Sequence, residues 1–265
     1  MQTSGFSESS RDFLSSLLFP RTIRTNLSGS MLRILAMVTM LIDHFGKMCF
    51  PQIPEMRIIG RMAFPIYAYG IAVGAVHSRN LPRYLSRIVL LALISQPLYA
   101  LGMGHEVPSM TAVPLFPNPL RAMVNFYLES WYYPSILLPL SLGLLILMCI
   151  RQRRWILAIG VYVLCHRFSS SLDYGIQGIQ LILILYFTLE HPLLQLLCAG
   201  LFLLNWSSGG GSHVFFGIGF RIQIYALPAV VLCALPMRRD FRLPRWLTYG
   251  FYPVHLAVLS VLTHL

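Results

Sequence analysis

The stretch Ser135-Ile136-Leu137-Leu138-Pro139-Leu140-Ser141-Leu142-Gly143-Leu144-Leu145-Ile146-Leu147-Met148-Cys149-Ile150 carries no charged side chain, and the candidate span it belongs to begins at Tyr133. It approaches the roughly 20 residues a helix needs to cross the hydrocarbon of a bilayer. It is one of many such runs. Candidate spans near Leu32–Phe50, Ile58–His77, Tyr84–Leu101, Tyr133–Ile150, Trp155–Phe168, Tyr174–Leu189, Pro192–Trp206, Phe216–Leu235 and Trp246–His264 follow one another along the 265 residues. The sequence therefore predicts an all-α, polytopic transmembrane helix bundle of about nine spans, within a range of eight to ten. Residues 31–265 form one transmembrane domain. Residues 1–30 form a Ser/Arg-rich cytoplasmic tail, whose apolar piece Phe13–Phe19 suits an interfacial helix. Ala122–Leu128 suits a re-entrant or surface helix, and Ser207–Ser212 a Gly/Ser turn.

Composition points the same way. Hydrophobic residues make up 56% of the chain and charged residues 11%, with a mean hydropathy of +0.67. A soluble chain averages about 25% charged, so a fully wetted surface is excluded. The 20 basic and 9 acidic residues leave a net +11. Those cations are scattered between apolar runs instead of forming a dense polar face, which excludes a nucleic-acid partner and leaves the lipid bilayer as the medium. The five cysteines lie in separate spans with no CxxC pair, and imply neither a disulfide framework nor a metal site.

Orientation follows from the arginines. Arg11, Arg21, Arg24 and Arg33 precede or open the first span; Arg79, Arg83 and Arg87 lie at the second loop; Arg151, Arg153 and Arg154 at the fourth; Arg238, Arg239, Arg242 and Arg245 at the eighth. Nine spans put all fourteen on one side, and the positive-inside rule makes that side, with the N-terminus, cytoplasmic.

Ionisable groups inside spans are costly and default to functional candidates. The first span ends Ile42-Asp43-His44-Phe45-Gly46-Lys47. Neighbouring helical positions point about 100° apart, so Asp43 does not orient His44 from the same helix. Asp43 and Lys47 form an i,i+4 pair, while His44 has only Thr39, Met40 and Met48 around it. Pro65 leaves the Arg61 carbonyl without a donor and bends the second span there. Arg61 is either an interfacial cation or a fixed interior one, the second if Asp43 is its partner. Pro253 repeats the device in the last span, with Tyr252 and His255 on one face. Arg79, Arg83 and Arg87, at i, i+4, i+8, make a stripe that serves either topology or a phosphorylated cytosolic molecule. Asp173 precedes an apolar helix, where N-capping is its ordinary role. The GxSxG, GxxxxGK[ST], HxxxxD and HExxH patterns are absent.

Taken in order, several blocks resemble the TraX family, membrane proteins that N-acetylate conjugative pilin. They are the run ending Ile42-Asp43-His44; Ile59-Gly60-Arg61-x-Ala63-Phe64-Pro65; Gly74, His77, Arg79-Asn80, Tyr84 and Arg87; Ile94-Ser95-Gln96-Pro97; Asp173-Tyr174-Gly175-x-x-Gly178; and Phe251-Tyr252-Pro253-x-His255-Leu256. The stretch Asn118–Leu142 fits less well. That family is in turn similar to the acyltransferase-three group, in which a first-helix His is essential and acetyl-CoA is the donor.

The resemblance implies a multi-pass acetyltransferase of the bacterial inner membrane, with acetyl-CoA as acyl donor and no metal. Its implied site residues are His44, Asp43, Arg61, Asp173 and His255. His44 is the general base, Arg61 the oxyanion or carboxylate partner, Asp43 or Asp173 the group that orients an imidazole, and His255 a second proton carrier or a tunnel wall. Arg79, Arg83 and Arg87 would dock the CoA phosphates. The acceptor is a pilin-like peptide amine or, with the same donor and base, the hydroxyl of a glycan or lipid. A transporter without covalent chemistry is the third reading, against which stands the lack of repeated halves.

Overall fold

The computed structural model describes residues 29–104, 118–215, 217–235 and 243–264, with the single positions 15, 18 and 241. The expected tail over 1–30 lies almost entirely outside these residues, as do Arg11, Arg21, Arg24, Arg238, Arg239 and Arg242.

The chain is mostly helical. In order come α1 (Gly29–Cys49), α2 (Pro54–Gly60), α3 (Ala63–His77), α4 (Leu81–Gly102), α5 (Pro119–Glu129), α6 (Leu137–Arg151), α7 (Trp155–Arg167), α8 (Gly175–Phe187), α9 (Pro192–Ser207), α10 (Leu227–Ala234) and α11 (Arg245–His264). Between α9 and α10 the chain forms an antiparallel hairpin of β1 (Ser208–Phe215) and β2 (Ile218–Phe220). The glycines expected to make a simple turn at Ser207–Ser212 therefore lie in a strand. Gly211 passes so close to the Phe220 backbone that a side chain there has no room.

Helices α3, α6 and α8 supply the centre, where Phe64, Leu144, Leu147, Ile179, Ile182 and Leu185 are fully buried. Gly143 on α6 admits Ile182, whose Cδ1 would lie 2.6 Å from a Cβ at that position. Outward faces stay apolar: Ile156 on α7 is 87% exposed and Leu193 on α9 80%. Side chains of that kind stand bare only where lipid or a partner covers them. Together with the long apolar helices they mark a membrane protein.

Nine spans are not supported. Among the described residues two helices are long and apolar enough to cross a bilayer, Pro54–His77 and Leu81–Gly102. A third is obtained only if Pro119–Tyr132 and Leu137–Arg151, bent by 63°, are taken as one. The apolar runs are longer than the helices they contain. The fifth and sixth candidate spans yield 13-residue helices, α7 and α8, about 20 Å long at the α-helical rise and short of the hydrocarbon thickness. The eighth candidate span is divided between β2, a 3₁₀ turn (Ile222–Ala226) and the eight-residue α10. Helices α1 and α11 have the length, but Arg33, Asp43, His44 and Lys47 dilute the first, and Tyr249, Tyr252, Pro253 and His255 the second. The helices that fall short on composition are those that carry the candidate site.

Of the arginines that set the expected orientation, Arg33, Arg79, Arg83, Arg87 and Arg151 lie toward one end. Arg33 and Tyr249, near the starts of α1 and α11, lie within electrostatic reach of Tyr84 near the start of α4. Arg151, closing α6, donates to the Ala75 and Val76 carbonyls at 2.6 and 2.7 Å, and so caps the last turn of α3. The opposite end of the bundle holds the candidate site.

Candidate functional site

The chain breaks at Arg61 and Met62, between α2 and α3, four residues before Pro65. The missing Pro65 amide leaves that turn without its regular bond, as the sequence implies. The break turns Arg61 inward. Its Nη2 donates to Asp43 Oδ1 at 2.9 Å, and its Nε to the Arg57 carbonyl at 3.3 Å. Arg57 Nε lies 3.7 Å from the same carboxylate oxygen. With side-chain exposures of 12% for Arg61 and 14% for Asp43, this is an interior pair. Asp43 is thus partnered across helices, by Arg61 and Arg57; the i,i+4 approach to Lys47 is not an ion pair here. Gly60 makes the approach possible, because a Cβ at that position would fall on the Asp43 side chain.

The second construction joins α1 to α11. His44 Nδ1 lies 2.7 Å from His255 Nε2, with the two rings stacked 5.0 Å apart. His255 Nδ1 lies 2.7 Å from the Phe251 carbonyl oxygen. A carbonyl only accepts, so His255 Nδ1 carries the proton, and in the neutral ring Nε2 is then the acceptor. His44 Nδ1 must donate to it. That leaves His44 Nε2 as a lone pair, with no partner among the described residues. Both histidines are buried. Among the described residues neither Asp43 nor Asp173 is hydrogen-bonded to an imidazole; His44 is bonded to His255.

The third construction is Tyr174. It occupies the N-cap position of α8 at φ +62°, in left-handed backbone that a non-glycine residue seldom adopts. Its ring stacks on Phe64 with centroids 4.2 Å apart, meets Trp206 edge-on at 5.9 Å, and lies under the Arg61 guanidinium, 5.6 Å away. Stacking and a cation–π contact thus hold a strained residue beside a charge, as is common at functional sites. Asp173, just before it, lines the cavity.

That cavity, of about 210 Å³, is lined by Asp43, His44, Lys47, Arg57, Arg61 and Asp173 among its charged and titratable groups, with Tyr67, Tyr99, Tyr174 and Ile136 also in its wall. The structure thus brings together Asp43, His44, Arg61 and Asp173, and sets His255 directly behind His44. Asp173 forms no ion pair among the described residues. Arg79, Arg83 and Arg87 are not part of the cavity. They are exposed at the far end of the α3–α4 hairpin. Among the described residues no group of three or more His, Cys, Asp or Glu is placed to hold a metal ion. Arg57 and Tyr99 were missed in the sequence. The Arg57/Arg61 spacing of four on one helix was the available signal for the first, and Tyr99 gave none.

Comparison with known proteins adds the family. The chain is similar to a probable fimbrial assembly protein, FimC of serogroup H1, from Dichelobacter nodosus, with 26% identity over 253 residues, covering 88% of this chain and 95% of that protein. A segment of 39 residues is 44% identical to an uncharacterized protein of Rickettsia prowazekii (strain Madrid E), covering 15% of this chain and 16% of the other. No solved structure matches the chain. The family model described as TraX protein matches residues 28–263, nearly all of the described helices and every residue of the cavity. On that match, the chain belongs to the TraX family.

Proposed function

We propose that this is an integral, multi-pass acetyltransferase of the bacterial inner membrane, with a cytoplasmic N-terminus. It moves an acetyl group from cytosolic acetyl-CoA to an amine, the N-terminus of a pilin-like peptide. The observation that carries this reading is the hydrogen-bonded pair His44–His255, which leaves one imidazole lone pair in a cavity that also holds a fixed guanidinium. The name of the Dichelobacter relative, a fimbrial assembly protein, supports a pilus-related acceptor.

His44 Nε2 takes a proton from the acceptor nitrogen as that nitrogen forms a bond to the thioester carbonyl carbon. The carbonyl π electrons move to oxygen, where the Arg61 donors not used by Asp43 and Arg57 are available to the oxyanion. Collapse of the intermediate breaks the C–S bond, and the proton held by His44 passes to sulfur, giving the amide and free CoA. His255 keeps His44 in the tautomer this sequence requires. The cavity is below the roughly 300 Å³ at which whole small molecules are usually enclosed, which suits the thioester end of a donor and the tip of an acceptor. The rest of the donor would extend toward the exposed arginines. Arg87 and Tyr99 are about 18 Å apart along α4.

Amine and hydroxyl acceptors need the same base, but only an amine arrives as an ammonium. Asp173, a cavity carboxylate without an ion pair, supplies a counter-charge for that ammonium and accepts its extra proton, leaving the neutral amine whose second proton His44 takes during attack; a glycan hydroxyl has no use for such a group. The test is competition. Purified full-length protein in nanodiscs is given labelled acetyl-CoA with a pilin-like peptide bearing a free N-terminus, or with a glycan acceptor. Label on the peptide amine is expected; label on the glycan alone would reverse the choice of acceptor.

A further inference from the structure

We propose that Gln96 is a positioning residue: it latches the bent segment 119–136 onto α4 and thereby fixes the wall of the cavity formed by Ile136 and Tyr99. The Ile94-Ser95-Gln96-Pro97 block has no part in the chemistry above, yet it joins two interruptions of regular structure. Pro97 lies inside α4 and has no N–H, so the Leu93 carbonyl one turn earlier lacks its helical donor. The Tyr127 hydroxyl, from α5, donates to that carbonyl at 3.2 Å. The other interruption follows α5, where a 3₁₀ turn (Ser130–Tyr132) leads into a bend of 63° before α6.

Gln96 serves the backbone of that bend with both ends of its amide. Its Nε2 donates to the Ser130 carbonyl at 2.6 Å and to the Tyr133 carbonyl at 2.9 Å. Its Oε1 accepts from the Ser135 amide at 2.9 Å. The side chain is 0% exposed. Each interruption thus satisfies backbone groups of the other. In hydrocarbon, where no water takes those bonds, irregular backbone is tolerated only when protein supplies the partners. Ser135 leads directly into Ile136, and Tyr99 lies three residues beyond Gln96 on α4; both Ile136 and Tyr99 line the cavity. Gln96 therefore sets the separation of two cavity walls without touching the cavity itself.

Amide hydrogen exchange of the full chain in nanodiscs tests this, with Gln96→Ala and Tyr127→Phe beside the unaltered protein. Exchange over 130–136 is expected to rise at least tenfold in Gln96→Ala, with 63–77 unchanged. Exchange over 119–129 is expected to rise severalfold in Tyr127→Phe. Unchanged exchange over 130–136 in Gln96→Ala overturns the latch. Should that variant not fold, unchanged exchange over 119–129 in Tyr127→Phe overturns it instead. The kinetic arm rests on the acetyl-transfer reading. There, Gln96→Ala is expected to raise KM for the acceptor at least fivefold with kcat within about twofold, and an unchanged KM beside raised exchange overturns the positioning role. Absence of transfer by the unaltered protein would count against the proposed function and leave the exchange data to decide the latch alone.

Discussion

His44 and His255, 211 residues apart in the chain, share a 2.7 Å hydrogen bond between Nδ1 of the first and Nε2 of the second. Because the Phe251 carbonyl fixes the proton on His255, the bond has a direction, and that direction assigns the two rings different roles. In the proposed acetyl transfer His44 would be the base and His255 its orienter.

The variants should separate accordingly. His255→Gln keeps an acceptor for the His44 Nδ1–H and should retain more acetyl transfer than His255→Ala. The alanine variant should lose about 10- to 100-fold, the value of one orienting bond of about 1.4–3 kcal/mol in a buried site. Rates from the purified variants, with donor and acceptor saturating, provide the comparison. Equal losses in glutamine and alanine would show that His255 does something other than accept that hydrogen bond.

The Asp43–Arg61 pair is expected to behave as a buried ion pair. Arg61→Ala should cost about 2–4 kcal/mol of stability, toward the lower side of the range for stranded buried charges because Arg57 remains 3.7 Å from Asp43. Combining Arg61→Gln with Asp43→Asn should cost less than the sum of the single changes, since contacting residues couple. Thermal midpoints of the four proteins in one detergent measure the cycle, and strict additivity would mean the pair contributes no coupling.

Two glycines give an internal control. Gly60→Ala drives a methyl group into the Asp43 side chain and should both destabilise the protein and reduce transfer. Gly70→Ala, on α3 with nothing within 4 Å of the new methyl, should be neutral or stabilising by up to about 1 kcal/mol. The same thermal midpoints, with expression matched, report both.

The exposed arginines have a separable test. If they hold the phosphates of the donor, Arg83→Ala with Arg87→Ala should raise KM for acetyl-CoA at least tenfold and leave KM for the acceptor unchanged. Unchanged donor KM would return them to setting topology, the role their exposure alone already explains.

How much of this was legible in the sequence depended on distance along the chain. Asp43, His44 and Arg61 stood out as charges in apolar helices. Pro65 announced the break that turns Arg61 inward, and Asp43 is the partner that makes Arg61 an interior cation. What joins α1 to α11 could not be read, because no local spacing relates residues 211 positions apart. From its position alone Asp173 read as a cap, and only the family resemblance put it among the site residues. Its place in the cavity depends on the left-handed turn at Tyr174, which the aromatic ring of Phe64 and the guanidinium of Arg61 hold from other helices. The span count failed for a different reason. Hydropathy sums over connecting residues as readily as over helical ones, so the eighth run concealed a strand and a 3₁₀ turn. Gln96 carried a signal of its kind, a buried-length amide before an intrahelical proline, but its partners are the carbonyls of a bend that only the fold reveals.

The most direct test is a single comparison: acetyl transfer from labelled acetyl-CoA to a pilin-like peptide, by the full-length protein and by its His44→Ala variant, at equal amounts of folded protein in nanodiscs. Label on the free N-terminus with the unaltered protein, and a loss of at least a hundredfold with His44→Ala, is the expected result, in line with the contribution of a positioned general base. Transfer by His44→Ala at the unaltered rate would contradict the assignment of His44 as the base.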